Sequence, residues 1–556
     1  MDNTRLILFL ALSMITLLLW DAWQRDQAPV APSETASAIP SDVAATQAPV
    51  EPKDAPPASA ALPQDAPAVP AASTAPASTG KRVTVRTDML EVEFDTVGAD
   101  IRQVKLLGYP VVTEKSSKPL VLLSDSQTPY FVAQTGLLSS GAAPNHYAEY
   151  ETDADRYTLA DAATELRVPF RWRDASGLEV TKWYVFRRGD HLIDVEFEVK
   201  NGSAAPWQGR QYRQFQRSSE SGPGTSAFIY TYTGGVIYSA EEKYEKIQFD
   251  DMADENLNRN VTGGWVAMIQ HYFLGAWVPG HEEQNNFYTK VAGQDRYILG
   301  MVSAEQTVAP SSAATFSTKL YVGPKEQDRL EELAEGLELT VDYGWLTFIS
   351  KPLFWLLRAI HDVVNNWGWA IVILTLIIKL VFFPLSAASY RSMAHMRKMA
   401  PKMTALKERY GDDRQRMSQA MMELYKKEKI NPFGGCLPIM VQIPVFIALY
   451  WVLLESVELR QAPFILWIND LATKDPYYVL PLIMGASMFI QQKLNPPPPD
   501  PVHAKIMMAL PIVFTLFFAF FPAGLVLYWV ANNVLSIAQQ WYITRKIENA
   551  SAAAKE

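Results

Sequence analysis

The stretch TLIIKLVFFP, residues 375–384, places one lysine inside an apolar run. From Val363 to Tyr390, Lys379 is the only charged residue. A run of this composition is typical of a transmembrane helix, in which a central cation costs about 2.5–3.5 kcal/mol on insertion scales. The sequence therefore predicts a membrane protein in which this lysine has a function that outweighs its cost.

Five apolar segments in the C-terminal half have the composition of membrane spans. They are Trp367–Leu385, Cys436–Leu454, Tyr477–Ile490, Ile506–Phe521 and Leu525–Tyr542. The third and fourth contain only 14 and 16 residues, so we expect the bilayer to thin around them or the helices to tilt. The sequence predicts a core of five membrane helices within residues 366–548.

The N-terminus carries one further apolar run, Leu6–Trp20, which is at the short end for a span. We interpret residues 1–25 as an uncleaved anchor. A cleaved signal peptide is the alternative, although its best cleavage site, at Ala31, is followed by Pro32. Residues 26–80 are rich in Ala and Pro and contain no aromatic residue, so they are predicted to form an extended linker.

Residues 81–340 have the alternating pattern of an all-β domain. EVTKWYVF (179–186) and HLIDVEFEV (191–199) flank Arg-Arg-Gly-Asp, which is a hairpin signal. Further turn signals are Asn201-Gly202, Gly234-Gly235 and Gly263-Gly264. This spacing predicts a large antiparallel sandwich, closed by a helix over PKEQDRLEELAEGL (324–337).

Residues 341–365 read as an amphipathic helix. Its apolar side contains Leu353, Phe354, Leu356, Leu357, Ile360 and Val364, and its polar side contains Lys351, Arg358, His361 and Asp362. Next to a membrane span, this pattern predicts a helix lying in the membrane interface. Burial against the β domain is the alternative.

The distribution of charge predicts the orientation. Between Ser386 and Asn431 there are 11 Lys or Arg residues and five acids, so this segment is +6 in a chain of net charge −9. Because Lys and Arg concentrate in cytoplasmic loops, we place residues 386–431 in the cytoplasm. Six spans then put both termini, including the tail 549–556, in the cytoplasm and the β domain outside.

Polar residues in three of the spans predict a shared cavity. Thr375, Lys379 and Ser386 fall on one stripe of the first core span, because they are spaced by four and seven residues. Other spans contribute Gln442, Asn532, Asn533 and Ser536. A water-filled cavity would keep the ammonium hydrated. Snorkelling of Lys379 toward the cytoplasm and helix–helix hydrogen bonding by the other polar residues are the alternatives.

The cytoplasmic segment 386–431 is predicted to be a helical hairpin. Gly411 ends its first helix, and Asp412 and Asp413 can cap its second. One face carries Met393, Met396, Met399, Met403, Met417 and Met421. Packing of the two helices explains this pattern, and an adaptable surface for apolar clients is the alternative. The basic outer face offers a contact for anionic lipid or ribosomal RNA.

The sequence lacks the motifs of several classes of enzyme and binding protein. There is no phosphate-binding loop, no closely spaced pair of histidines and no nucleophile elbow. We therefore expect no cofactor, no metal and no enzymatic activity. The net charge gives no case for general nucleic-acid binding, and the single cysteine, Cys436, excludes an intrachain disulfide.

Four strings in the C-terminal half are specific enough to indicate a family. They are NPFGGCLPIMVQIPVFIALY (431–450), VELRQAPFILWINDL (457–471), DPYYVLPLIMG (475–485) and FPAGLVLYW (521–529). These strings resemble the YidC-type membrane protein insertases, and the anchor, linker and β domain resemble the Gram-negative form. The resemblance implies an inner-membrane insertase and chaperone with a periplasmic β-supersandwich.

The resemblance also implies a hydrophilic groove with one basic residue, usually arginine, where this chain has Lys379. A point charge replaces a planar fork, which puts bidentate binding of client carboxylates in doubt. Matches to groove and client-contact positions are Thr375, Gln442, Met484, Met488, Tyr528 and Trp529. The implied partners are nascent membrane proteins, the Sec translocon, and ribosome and signal recognition components, with no small-molecule substrate.

Two functions of other classes remain open. A solute transporter or channel predicts paired counter-charges or inverted repeats, and the sequence has neither. A membrane-anchored sugar-binding or sugar-isomerising protein predicts carboxylates and a histidine that converge within the β domain.

Overall fold

A computed structural model describes residues 80–113, 117–126, 128–220, 231–293, 295–411, 413–427, 437–494 and 501–553. The predicted anchor (1–25), all but the last residue of the predicted linker (26–80) and residues 428–436 and 554–556 lie outside the described residues. The described chain consists of a β domain followed by a bundle of helices.

The described residues of the β domain form 19 strands. They are β1 (Arg82–Arg86), β2 (Leu90–Asp95), β3 (Asp100–Pro110), β4 (Pro119–Ser124), β5 (Phe131–Ser139), β6 (Arg156–Thr158), β7 (Glu165–Arg173), β8 (Leu178–Arg187), β9 (Leu192–Asn201), β10 (Trp207–Arg217), β11 (Gly234–Ser239), β12 (Lys243–Ile247), β13 (Asn258–Thr262), β14 (Trp265–Gln270), β15 (Phe273–Val278), β16 (Gln284–Val291), β17 (Tyr297–Ser303), β18 (Gln306–Val308) and β19 (Ser312–Pro324).

These strands make two sheets. The first has the order β13-β16-β17-β10-β5-β4-β3-β2-β1-β6, with β18 paired to β10, and the second has the order β12-β11-β14-β15-β19-β9-β8-β7. Neighbouring strands are antiparallel, except that β1 and β6 pair in parallel.

Alternation along the strands places apolar side chains between the two sheets. In LEVEFD (90–95), Leu90, Val92 and Phe94 are buried. Phe94 of the first sheet contacts Phe170 of the second, with ring centroids 5.3 Å apart. The predicted two-sheet β domain is therefore confirmed, because apolar side chains at every second position of both sheets bury one face of each.

The turn predictions had mixed outcomes. Arg187-Arg188-Gly189-Asp190 connects β8 to β9 as predicted, with Gly189 at a φ of +71°. Gly263 and Gly264 also form a turn and both have positive φ. The prediction of a turn at Gly234-Gly235 was wrong, because both residues lie at the start of buried strand β11. A Cβ at Gly235 would overlap Met252, so glycine there permits close packing.

The closing helix of the β domain is shorter than the segment 324–337 predicted from the sequence. Helix α2 covers Gln327–Leu333, and Pro324 ends strand β19 instead of opening the helix. Gly336, at a φ of +75°, separates α2 from a 3-10 turn over Leu337–Thr340. The left-handed glycine explains why the helix could not extend to residue 337.

The remaining helices form the C-terminal half. A short helix α1 (Phe249–Asp254) and α2 belong to the β domain. The others are α3 (Thr347–Val364), α4 (Trp367–Val381), α5 (Phe383–Tyr410), α6 (Arg414–Lys427), α7 (Leu437–Glu455), α8 (Val479–Leu494), α9 (Pro501–Phe518) and α10 (Ala523–Ala553), with 3-10 turns at Gly344–Leu346 and Val457–Leu459. Helix α10 is central, since it packs against α4, α5, α7 and α8.

Among the described residues, no single helix is both long enough and apolar enough to span a membrane. The helical segments Trp367–Val381 and Phe383–Ser392 are long and apolar enough when taken together, and they meet at a bend of 64°. Pro384 lies at the start of α5 and has no N–H to continue the hydrogen bonds of α4. Proline thus explains the break. The predicted segment Trp367–Leu385 is two helical pieces, of which the second continues into the predicted hairpin.

Helix α3 packs on the bundle. Ser350, Phe354 and Leu357 are buried, and the helix contacts α4 and α7. Phe348 and Trp355 on its other side are each 70% exposed. The apolar face of α3 therefore packs on the helical bundle and not on the β domain. The interfacial position of this helix stays a prediction.

The β domain contacts the last turn of α7 and the segment that follows it. The Nε2 atom of His271 lies 3.0 Å from the carbonyl oxygen of Leu454. Arg460 and Gln461 both donate to the carbonyl of Pro110, at 2.7 and 2.8 Å. These contacts join the end of β3 and the β14–β15 turn to the same side of the helical bundle.

Candidate functional site

A cavity of about 420 Å³ lies among the helices of the bundle. Its walls come from α4, α5, α7, α8, α9 and α10. Eight of the ten residues predicted to form a site line it, namely Lys379, Gln442, Met488, Tyr528, Trp529, Asn532, Asn533 and Ser536. Widely separated parts of the sequence therefore meet at one cavity.

Lys379 lines this cavity and is almost completely buried. Its side chain is only 5% exposed, and its Nζ donates to Ser536 Oγ at 2.8 Å. The Ser536 hydroxyl in turn donates to the carbonyl of Asn532, one turn earlier, at 2.6 Å. Gln539 Nε2 lies 3.3 Å from the backbone carbonyl of Lys379. Helix α10 therefore fixes both the side chain and the backbone of the lysine.

Two amides form the rest of the polar wall. Gln442 Nε2 on α7 lies 3.4 Å from Asn532 Oδ1 on α10, which is a long hydrogen bond. Asn533 Nδ2 donates to Ser487 Oγ on α8 at 3.0 Å. Asn533 thus lines the cavity and also forms a hydrogen bond between two helices. It therefore fits both the cavity interpretation and the helix–helix interpretation of the polar residues.

Aromatic rings form another part of the lining. Phe446 on α7 stacks on Tyr528 with ring centroids 5.8 Å apart, and its ring lies 4.8 Å from that of Trp529. Phe518 contacts Trp529 at 5.5 Å. The indole Nε1 of Trp529 is buried and has no hydrogen-bond partner among the described residues. The cavity therefore combines a polar wall with an aromatic one.

The cavity has the electrostatics of a cationic site. Among the described lining residues, Lys379 is the one charged side chain, and no carboxylate is present. In surroundings of low dielectric constant, an unneutralised ammonium attracts anions more strongly than it would in water. Within the described ranges, no three His, Cys, Asp or Glu side chains come together as a metal site requires.

Two predicted site residues lie outside the cavity lining. Thr375 is 1% exposed, and its hydroxyl donates to the carbonyl of Ile371 at 2.6 Å, within its own helix. Met484 is fully buried in the core of the bundle. Their roles in client contact stay predictions.

Part of the lining consists of residues that were not predicted from the sequence. Helix α5 contributes Ser389 and Tyr390, and helix α8 contributes Gln491 and Gln492. A signal existed, because positions 386, 389 and 390 continue the spacing of the polar stripe from Lys379 beyond the predicted end of the span. The glutamine pair follows Met488 by three and four residues, which places it on the same helical face.

Helices α5 and α6 form the predicted hairpin. Helix α5 ends at Tyr410 with Gly411 as its C-cap, as expected. Asp413 Oδ1 accepts from the backbone N–H groups of Gln415 and Arg416 at 3.2 and 3.1 Å, which confirms it as a cap of α6. Asp412 lies outside the described residues.

The methionine-rich face of these two helices is partly buried. Met399 is buried, and Met403, Met417 and Met421 are half-buried. The side chains of Met393 and Met396 are outside the described part of the chain. Half-buried methionines fit the packing interpretation, and the surface for clients stays a prediction.

Known proteins are similar to this chain over almost its whole length. The family described as "YidC periplasmic domain" matches residues 82–356, and the family described as "60Kd inner membrane protein" matches residues 359–550. The "Membrane protein insertase YidC" of Thioalkalivibrio sulfidiphilus is 53% identical over 99% of each chain. That of Methylococcus capsulatus is also 53% identical, over 100% of each chain.

Solved structures give weaker likenesses. One titled "Active YidC insertase crystal structure with the first transmembrane domain resolved" has 16% identity and a TM-score of 0.38, over 84% of this chain and 95% of that one. A galactose mutarotase related enzyme from Lactobacillus acidophilus has 11% identity and a TM-score of 0.30, over 43% of this chain and 97% of that one.

Proposed function

This chain belongs to the YidC family of membrane protein insertases, and from that premise we propose that its cavity is the groove through which client segments cross. The chain is an inner-membrane protein with a periplasmic β domain, and it acts without enzymatic chemistry. The observation that carries the proposal is the ammonium of Lys379 in a cavity lined by polar and aromatic side chains.

The cavity lowers the cost of moving polar client residues into the membrane. An exposed backbone or charged side chain costs several kcal/mol in hydrocarbon. The amides of Gln442 and Asn532 and the hydroxyl of Ser536 offer hydrogen bonds that lipid lacks. A short hydrophilic segment at the end of a client helix is therefore held there transiently.

Lys379 gives this site a preference for acidic segments. An ammonium has three N–H donors, and Ser536 accepts from one of them. The remaining donors have no partner among the described residues, so they can bind client carboxylates or backbone carbonyls. Because the lining contains no described carboxylate, attraction of an acidic client is not cancelled within the cavity.

Apolar surfaces beside the cavity provide the route by which a client helix moves into lipid. Helix α9 exposes Ile512 and Leu516, each by more than half. Helix α8 has 16 residues and would span about 24 Å, less than the hydrocarbon thickness of about 30 Å. Local thinning shortens the crossing, and burial of the client's apolar face in lipid then releases it.

The wider topology and the partners belong to the same proposal. The excess of Lys and Arg in residues 386–431 supports a cytoplasmic hairpin, six spans and cytoplasmic termini. The periplasmic domain then occupies residues 81–340, with the interfacial helix at 341–365. Partners besides nascent membrane proteins are the Sec translocon, ribosome and signal recognition components, and anionic lipid.

Photocrosslinking of a stalled client tests the groove directly. A photoreactive residue at position 442 or 529 should crosslink to a ribosome-bound nascent membrane protein. The same probe at Val513, which is 58% exposed on the outside of α9, should crosslink to lipid before client release. Equal client crosslinking at all three positions would show that the cavity has no special role.

A further inference from the structure

A second cleft, of about 460 Å³, lies between helix α3 and the C-terminal segment of the β domain. Its charged lining residues are Asp328, Glu331, Glu338, Asp362, Lys351 and Arg358. Because the β domain is periplasmic, this cleft lies on the periplasmic side of the bundle. It shares no residue with the cavity around Lys379.

Ion pairs across the cleft leave unused hydrogen-bonding groups. Lys351 Nζ donates to Glu338 Oε1 at 2.9 Å, and Arg358 pairs with Asp328. Each cation keeps further N–H donors, since an ammonium has three and a guanidinium has five. Glu338 Oε2 is buried and accepts no hydrogen bond from the described residues. The cleft therefore offers spare donors and one spare anionic acceptor.

The balance of charge selects the kind of ligand. Four carboxylates and two cations line the cleft, which gives a net charge of −2. This negative balance disfavours a purely anionic headgroup. A simple cation would satisfy Glu338 and leave the donors of Lys351 and Arg358 unused. A zwitterion with a phosphate and a donating ammonium matches both sets of groups.

Exposed aromatic residues place the cleft at the level of lipid headgroups. Trp355 lines the cleft and is 70% exposed, and Trp345 and Phe348 nearby are also largely exposed. Tryptophan is enriched at membrane–water interfaces, where its ring meets acyl chains and its N–H meets water. A lipid whose headgroup occupied the cleft would lay its chains along this aromatic surface.

We propose that this cleft binds phosphatidylethanolamine from the periplasmic leaflet. Lys351 and Arg358 bind the phosphate, and Glu338 Oε2 accepts a hydrogen bond from the primary ammonium. The lipid thereby joins helix α3 to the β domain at the membrane surface. This binding site does not depend on the proposed groove, because it uses only the membrane location and the residues of the cleft.

Native mass spectrometry of the full chain tests the proposal with three lipids of identical acyl chains. We expect phosphatidylethanolamine to bind about three to ten times more tightly than phosphatidylcholine, whose quaternary ammonium cannot donate, and phosphatidylglycerol to bind more weakly still. Glu338→Gln and Arg358→Gln should abolish this preference. Glu332→Gln is the matched control, since Glu332 is a neighbouring carboxylate on α2 that lies outside the cleft lining.

Two results would overturn the proposal. One is equal binding of the three lipids or a preference for phosphatidylglycerol, and the other is an equal loss with Glu332→Gln. If the Glu338 variant does not fold, hydrogen exchange of the unaltered protein in nanodiscs replaces it. Phosphatidylethanolamine should then protect backbone amides of residues 344–363 relative to phosphatidylcholine, and equal exchange in both lipids would contradict the assignment.

Discussion

The ammonium of Lys379 and the hydroxyl of Ser536 are 2.8 Å apart, although 157 positions separate them in the chain. The contact joins α4 to α10 immediately before the 64° bend that begins α5. Since Ser536 also donates to the carbonyl of Asn532, its oxygen lone pairs face the lysine. Among the described lining residues, the position of the one charged side chain is thus set by a neutral side chain on another helix.

Reversing the charge of Lys379 should impair clients with acidic outer segments. We expect Lys379→Glu to reduce their insertion at least about tenfold, because attraction becomes repulsion in surroundings of low dielectric constant. Lys379→Arg should retain most activity. Protease protection of clients in proteoliposomes measures the effect, and a client with a neutral outer segment is the control. Equal insertion of acidic clients by Lys379→Glu and the unaltered chain would exclude the attraction step.

Removing the hydroxyl of Ser536 should have a smaller and more specific effect. Ser536→Ala deletes one hydrogen bond and leaves the charge of Lys379 in place, so we expect a loss of about three- to tenfold for acidic clients. Ser536→Thr keeps the hydroxyl and should restore insertion. The control is Ser350→Ala, whose hydroxyl donates to the carbonyl of Ala448 away from the cavity. Identical losses with Ala and Thr would show that the hydroxyl does not position the lysine.

Close packing of α8 against α9 depends on Gly485. A Cβ at this position would overlap the hydroxyl of Thr515. We expect Gly485→Ala to destabilise the bundle by about 1–3 kcal/mol, as overpacking does elsewhere. Thermal unfolding in detergent measures the change, with Gly108→Ala as the control because a Cβ there meets nothing within 4 Å. Unchanged stability of the Gly485 variant would contradict this packing.

The junction between the β domain and the bundle should weaken in acid. Burial lowers the pKa of His271 to about 4, with a smaller contribution from nearby Lys325. A depressed histidine pKa stabilises the folded state above the unfolded pKa of about 6.5, and this contribution is lost as pH falls toward 4. The loss would be about 2 kcal/mol at pH 5.

Hydrogen exchange around the β14–β15 turn measures this weakening. Exchange should increase between pH 7 and pH 5 after correction for intrinsic rates. His271→Phe keeps a ring without a titrating group, so its exchange should not change over this interval beyond that correction. A pH response that persists in the His271→Phe variant would assign the effect to another group.

About half of the cavity lining could be predicted from the sequence, in large part because polar residues are conspicuous in apolar spans. Lys379, Gln442 and Asn532 could be named for this reason alone. Their mutual contacts could not, since the register between α4 and α10 depends on packing of side chains such as Ile371 and Val526. The bend at Pro384 was also missed, so Ser389 and Tyr390 were assigned to the hairpin and not to the cavity.

In the β domain, alternation and hairpin residues were sufficient to predict two antiparallel sheets. They failed at Gly234-Gly235, where glycine serves close packing in a strand instead of a turn. Likewise, the leucines at 330, 333 and 337 suggested one helix, but Gly336 adopts a left-handed conformation between them. Glycine signals special backbone geometry or close approach, and only tertiary structure decides which.

Water access to the cavity tests the central claim most directly. In a Cys436→Ser background, Gln442→Cys and, as a lipid-facing control, Val513→Cys are treated with a membrane-impermeant maleimide from the cytoplasmic side. We predict that the cysteine at 442 is labelled, that a stalled client protects it, and that the cysteine at 513 stays unlabelled. Absence of labelling at 442 without client would show a dry, closed interior and would contradict the proposed groove.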